Sequence, residues 1–233
     1  DQARAGLRLA QGQYTSTGVS LESSKKNAIE TLRTSYIAAD EIINIKITQS
    51  LYESTGNNPK ISTFISDRKL SESIRDKYLN SKGMFLDWKR VIDSLTFESK
   101  DSEIESAIVL SRKNFNTINS LLDDMALAIN DATKGTNDAG TFAIFLTWQD
   151  MIKDTRALAN STMRNLTGTE SSISSSVAQT SSAQAIVRNL EAQFAKTVIT
   201  SPISGKIASL PLRTGELAQP GQLIATVDGG GGL

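Results

Sequence analysis

The amino-acid sequence predicts a mainly α protein: a long antiparallel helical hairpin that widens into a four-helix bundle and carries a small C-terminal β unit. Three observations predict it. Apolar residues recur at three- and four-residue steps over most of the chain up to Ala195. Two loop-forming clusters, Thr55-Gly-Asn-Asn-Pro59 and Lys134-Gly-Thr-Asn-Asp-Ala-Gly140, interrupt that periodicity. Beyond Lys196 the pattern changes to short apolar segments punctuated by Pro and Gly.

The first helix is clearest from about Leu21 to Leu51, where Ile29, Leu32, Tyr36, Ala39, Ile43 and Leu51 share a face. Gly12, Gly18 and the Thr and Ser between them weaken an earlier start, so residues 1–18 are expected as a frayed continuation. Thr55 to Pro59 reads as a firm stop, with Gly and Asn suited to a C-cap and Pro beyond. A second helix is expected from about Asp67 to Leu95, its stripe formed by Leu70, Ile74, Tyr78, Phe85, Trp88, Ile92 and Leu95.

The third helix opens where Ser102 and Glu105 have capping-box spacing. Its residues Ile104, Ile108, Ser111, Phe115, Ile118, Leu122, Met125 and Ile129 form an unbroken a/d seam. The fourth runs from about Thr141 to Ala195, roughly 80 Å at about 1.5 Å per residue. It begins with bulky Phe142, Phe145, Leu146, Trp148 and Ile152, then continues with Leu166, Ile173, Val177, Thr180, Ala183, Val187, Leu190 and Phe194. Gly168 and the Ser171–Ser176 stretch have poor helix propensity and predict a kink or a frayed stretch there. Helices one and four are then antiparallel partners, and the excursion between them inserts a helical pair at their distal end.

In the C-terminal unit each of Ser201-Pro202, Ser204-Gly205, Thr214-Gly215 and Pro220-Gly221 supplies a turn, because Pro fixes φ and Gly allows φ > 0. Pro202, Gly205, Gly215, Pro220 and Gly221 are therefore the structural turn residues. Between them Val198-Ile199, Lys206 to Leu210, and Leu223 to Val227 read as strands.

Composition narrows the function classes. The 233 residues carry 25 basic and 25 acidic side chains, so no global field steers the chain to nucleic acid. Apolar content of 39% with 6% aromatics suits thin helical cores better than a large globule. The chain has neither Cys nor His, which removes disulfides, thiol nucleophiles, the commonest general base and the usual zinc ligands. No apolar run approaches the roughly 20 residues that span a bilayer.

Candidate sites were weighed against plainer readings. Asp123-Asp124 with Asp131 could be imagined as a carboxylate pair, but neighbours on a helix point in different directions and a solvated face explains them better. Lys25-Lys26 and Arg112-Lys113 are too short for a nucleic-acid patch. Phe85, Trp88, Phe145 and Trp148 could line a ligand pocket; their register with the helix seams favours core packing. Asn160-Ser-Thr162 and Asn165-Leu-Thr167 match the glycosylation pattern and are read as chance. No nucleophile–base pair, metal set or phosphate cradle emerges, so neither an enzyme nor a cofactor is expected.

The stretch Leu190-Glu-Ala-Gln-Phe-Ala-Lys-Thr-Val-Ile-Thr-Ser-Pro-Ile-Ser-Gly-Lys-Ile207, followed by Arg213-Thr-Gly-Glu-Leu-Ala-Gln-Pro-Gly-Gln-Leu223, resembles the second half of the lipoyl-like, barrel-sandwich domain of the membrane fusion proteins. These are the HlyD-type periplasmic adaptors of bacterial efflux and secretion systems, which thread a helical hairpin between the two halves of that domain. The resemblance covers a short C-terminal stretch; the helical remainder fits by placement. It implies an internal fragment, with the domain's first half before Asp1 and the β-barrel and membrane-proximal domains after Leu233. The expected parts are then an ascending helix (1–55), an inserted helical pair (56–140), a descending helix (141–196), the lipoyl-like half (197–228) and a Gly-rich linker (229–233).

The resemblance implies a non-catalytic extracytoplasmic adaptor, membrane-associated through segments outside this chain. It would couple an inner-membrane ABC or RND transporter to the rest of the envelope, with homo-oligomeric rings and no nucleic acid. Exposed small residues such as Ser174, Ser175, Ser181, Ser182 and Ala185 would permit close lateral approach of protomers, although ordinary solvated surface explains them equally. The short Arg/Leu/Ser motif that docks an outer-membrane tunnel protein in many such adaptors has no clear counterpart, which puts that partner in doubt. The turns are also similar to biotinyl and lipoyl carrier domains. Glycine follows Ile224-Ala-Thr-Val-Asp228 where a carrier has its Met-Lys-Met tip, so a prosthetic-group carrier is disfavoured. The alternative from another class is a ligand-sensing extracytoplasmic four-helix bundle, which the C-terminal turns do not suit.

Overall fold

A computed structural model describes residues 2–50, 65 and 67–229. The chain is mainly helical, with four α-helices and one small antiparallel sheet among the described residues. It divides into two compact units: Asp1–Gln11 with Ala185–Leu233, and Gly12–Gln184. The expected stop at Thr55–Pro59, the seam position Leu51 and the linker residues 230–233 lie outside the described residues.

Helix α1 spans Gln2–Asp40 and passes into a π-helical turn, Glu41–Ile47, and a short 3-10 turn, Thr48–Ser50. The fraying expected over residues 1–18 is absent: the helix runs through Gly6, Gly12 and Gly18. In the larger unit the Thr180 hydroxyl donates to the Thr17 carbonyl at 3.2 Å, and Ser24 and Ser176 share a hydrogen bond at 2.9 Å. Ala28, Ile29 and Leu32 are fully buried just beyond. Tertiary packing of this kind outweighs the propensity cost of isolated glycines. A methyl group built on Gly12 or Gly18 would meet no atom within 4 Å.

Helix α2, Arg68–Ser94, opens at Asp67, whose carboxylate accepts from the N–H groups of Lys69 and Leu70. Helix α3, Asp101–Gly135, begins with Glu103 reaching back to the Lys100 N–H at 2.9 Å. The cap thus falls two residues ahead of the Ser102/Glu105 pair that the spacing suggested. Helix α4, Ala139–Ala195, is capped by Asp138, which accepts from the Thr141 N–H at 2.7 Å. Hydrogen bonds from the Thr141 side chain, and then its backbone, hold the Asp138 carboxyl below its ordinary range.

No break occurs in α4 at Gly168 or at Ser171–Ser176. Leu166 and Ile173 are fully buried on either side, and Ser171 bonds back to the Thr167 carbonyl at 3.1 Å. Serine's competition with the backbone is here satisfied within the helix.

The core of the larger unit draws on all four helices and on the π turn. Ile42, Ile43 and Ile47 join Ile74, Tyr78, Trp88, Ile108, Phe115, Ile118, Leu122, Ile152 and Leu166, each at most 2% exposed. Trp88 packs near edge-on against Tyr36 and Phe115 at 5.5 and 5.8 Å, and its indole N–H donates to Ser111 at 2.9 Å. Ser111 in turn donates its O–H to the Ala107 carbonyl at 2.8 Å. Trp88 thereby ties three elements to one ring and leaves no orphaned donor.

Truncation of Trp88 to Ala is expected to cost about 3–5 kcal/mol, because the cavity cannot collapse between three helices. Urea unfolding followed by helical circular dichroism checks it; a loss below 1 kcal/mol would sink the central role given to the ring. In the other direction, the Gly12→Ala/Gly18→Ala double variant is expected to gain about 1–2 kcal/mol, since each site is helical with open space at Cβ. A thermal melt that fails to rise would contradict a formed helix there.

Candidate functional site

The C-terminal β unit is assembled from turns before strands. After α4, the Thr197 and Val198 N–H groups bond back to the Phe194 and Ala195 carbonyls at 2.8 and 3.3 Å. This corrects the expectation that Val198-Ile199 form a strand: Val198 is still closing the helix, and neither residue has a strand partner. Two strands remain, β1 at Lys206–Ser209 and β2 at Thr226–Asp228, both shorter than the sequence suggested. They pair antiparallel with Ile207 opposite Val227, and the register shifts between Ile207 and Ser209. That irregularity is a bulge-like device that bends a strand.

Two of the turns share one construction. In Arg213-Thr-Gly-Glu216 the Glu216 N–H bonds to the Arg213 carbonyl at 3.1 Å, while the Glu216 carboxylate accepts from the Arg213 N–H at 3.0 Å. In Gln219-Pro-Gly-Gln222 the same two bonds recur at 3.0 and 2.9 Å, with the Gln222 amide oxygen as acceptor. Gly215 and Gly221 hold the third position at φ +96° and +83°, the region a type II turn requires. The reciprocal bond from the fourth residue was not anticipated; its signal is the recurrence of Gly followed by Glu or Gln.

Gly205 serves differently. A Cβ there would collide with the Asp228 carbonyl and lie 2.9 Å from a Val227 methyl, so glycine permits the strand ends to approach. Pro202 belongs to a local turn in which Ser201 donates to the Ile203 carbonyl at 2.6 Å. Pro220 occupies the second turn position, where its fixed φ is favourable.

Much of the unit's apolar surface stays in solvent: Ile199, Ile203, Ile207 and Leu210 are exposed, while Leu212, Ile224 and Val227 are half-buried. A groove of about 660 Å³ is lined chiefly by Ile199, Ile203, Ile207, Leu210, Ile224 and Val227. Ile207 is 66% exposed although it occupies the middle of β1. Two-stranded sheets are at best marginal alone and need a further layer over their apolar face.

The other sequence candidates resolve into packing and surface pairing. Asp124 accepts from Lys77 at 2.6 Å and from Ser73 at 2.7 Å, whereas Asp123 pairs with Arg156 at 2.6 Å; the two carboxylates therefore face different partners. Asp131 is exposed on α3, apart from both. Lys25 pairs with Asp101 and Arg112 with Glu170; Lys26 and Lys113 are exposed. Phe85, Trp88 and Phe145 are buried, and Phe145 packs on half-buried Trp148 at 5.7 Å. Asn160 and Asn165 lie within α4 and are exposed. Ser174, Ser175, Ser181, Ser182 and Ala185 are also exposed. Among the described residues no cluster of three or more acidic side chains could hold a metal ion, and no helix is long and apolar enough to cross a membrane.

No family model, no curated protein and no solved structure matches the chain.

A Gly205→Ala substitution is expected to abolish amide protection at Ile207 and Val227 in hydrogen exchange while leaving the helical melting transition unchanged. Retained protection would mean that the strand approach does not depend on the missing Cβ.

Proposed function

We propose that the chain is the helical arm and second lipoyl-like half of a membrane fusion protein, an extracytoplasmic adaptor that couples an inner-membrane transporter to the envelope beyond it. The observation that carries this reading is the β unit: paired glycine turns, two short strands and an uncovered apolar groove, directly following a 57-residue helix. A complementary β segment, encoded ahead of α1, covers that groove and completes a sandwich.

The arm is a long antiparallel hairpin of α1 and α4 that widens into a four-helix bundle where α2 and α3 are inserted. Several contacts support this arrangement within the larger unit. Numbers fall on α4 as they rise on α1, from Thr17 with Thr180 to Ser24 with Ser176. They fall on α3 as they rise on α2, from Lys77 with Asp124 to Trp88 with Ser111. Between α3 and α4, Asp123 meets Arg156 and Thr133 meets Gln149. These contacts fit antiparallel neighbours, as in an up-down-up-down bundle. In the smaller unit the Arg4 guanidinium lies 5.7 Å from the centre of the Phe194 ring, which supports the same pairing of α1 with α4 there.

An adaptor of this kind does no chemistry and needs no cofactor. Its partners are an ABC or RND transporter and further copies of itself in a ring. The inserted pair occupies the hairpin end, so an outer-membrane tunnel protein is not part of the proposal.

The test compares a longer product that restores the preceding β segment with its Ile207→Ser variant, by native mass spectrometry and hydrogen exchange. Expected are rings for the parent, protected amides in β1 and β2, and loss of rings in the variant at an unchanged helical melting temperature. A monomer with unprotected β1 would overturn the adaptor reading. So would stabilisation of the bundle by one small ligand without assembly, which would favour a sensory bundle instead.

A further inference from the structure

Within the π-helical turn Glu41–Ile47, we infer that one residue is surplus to the helix: the turn absorbs it so that the core-facing seam stays in phase, and deleting Ile45 would convert the segment to plain α-helix without loss of stability. This stands independently of the adaptor reading.

Three observations carry it. The first is the spacing of buried positions. Leu32, Ser35, Ala39 and Ile42 are buried at steps of three and four, which would place Lys46 next on the same face. Instead Ile47 is fully buried and the Lys46 side chain is 41% exposed, so the seam has slipped by one residue. An α-helix advances about 100° per residue, and Ala39, Ile43 and Ile47 at successive steps of four would drift by about 80°. Winding more residues into one turn, as i→i+5 bonding does, cancels that drift.

The second is an ion pair of unusual spacing. Glu41 and Lys46 approach to 3.5 Å across five residues. In an α-helix partners three or four apart are neighbours, whereas five apart point to different sides. The pair fits the wider turn and no other helical geometry.

The third is Ile45 itself. It is half exposed, while Ile42, Ile43 and Ile47 around it are fully buried. Removing Ile45 moves Ile47 to three residues after Ile43, the next position an α-helical seam requires. Lys46 then follows Asn44 on the outer surface.

The experiment compares two single-residue deletions in the full chain. Removal of Ile45 is set against removal of Asn116, an exposed residue in the unbroken seam of α3. Deleting Asn116 rotates every following core residue of α3 off its face and is expected to lower the melting temperature by more than about 10 °C or to prevent folding. Deleting Ile45 is expected to leave the melting temperature within about 5 °C of the parent or to raise it. Carbonyl and Cα chemical shifts of the variant should report regular α-helix through the former turn. A drop comparable to that of the Asn116 deletion would overturn the inference, and so would persistence of the π turn in the shortened chain.

Discussion

Burial of Trp88 is the constraint on which the larger unit depends. Its ring touches aromatic side chains from α1 and α3 as well as its own helix, and its single polar atom is satisfied by Ser111. A residue of this size fixes more than its own transfer free energy, about 1.5–3 kcal/mol for a large buried side chain. It sets the level at which α2 meets α3, and Tyr36 sets the level of α1 against both. Burial raises the Tyr36 pKa first, and the nearby Asp40 adds to the effect. Every other element must keep its apolar face turned to this layer, which is why a slipped seam in α1 is met by a change of helix type rather than by a loop.

The smaller unit obeys a different logic. Its turns are self-sufficient: each of the two Gly turns closes on its own backbone and side-chain bonds, without help from elsewhere. Its strands are not. Three or four residues per strand give few ladder bonds, and the apolar residues between the turns find no opposing layer among the described residues. Local chemistry thus specifies the turns, while the apolar groove between them stays open. Gly205, lacking a Cβ, lets the two strand ends approach one another.

Much of this was legible in the sequence where local signals and tertiary packing agree. The seams of α2 and α3 were readable because their apolar residues stand at heptad spacing and bury as such. The turn positions were readable because positive φ at Gly215 and Gly221 leaves few residue choices. What escaped notice depended on neighbours. The early part of α1 looked weak by propensity, yet a long partner helix supplies bonds to Thr17 and Ser24 that propensity cannot register. Val198-Ile199 carry β-branched side chains suited to a strand, but a strand without a partner has no ladder, and the helix end claims Val198 first. The π turn did leave a trace, the step of four from Ala39 to Ile43 followed by another to Ile47, which a reading tuned to alternating threes and fours passed over.

The contrast between the two units bears on what sort of work the chain performs. Several charged side chains in the larger unit pair across helix surfaces, as with Lys77 and Asp124 or Arg156 and Asp123, so their fields are partly cancelled at short range. Aromatic rings are spent on packing rather than on walls of a cavity. In the β unit the apolar groove stays open among the described residues, so a covering layer there would bury further apolar area. The two units thus differ in what they leave open: the larger keeps a continuous buried core, with polar atoms such as the Tyr78 hydroxyl and the Asn114 amide nitrogen unpartnered inside it among the described residues, and the β unit keeps an open apolar groove. That difference supports the proposed reading of the chain as an assembly component.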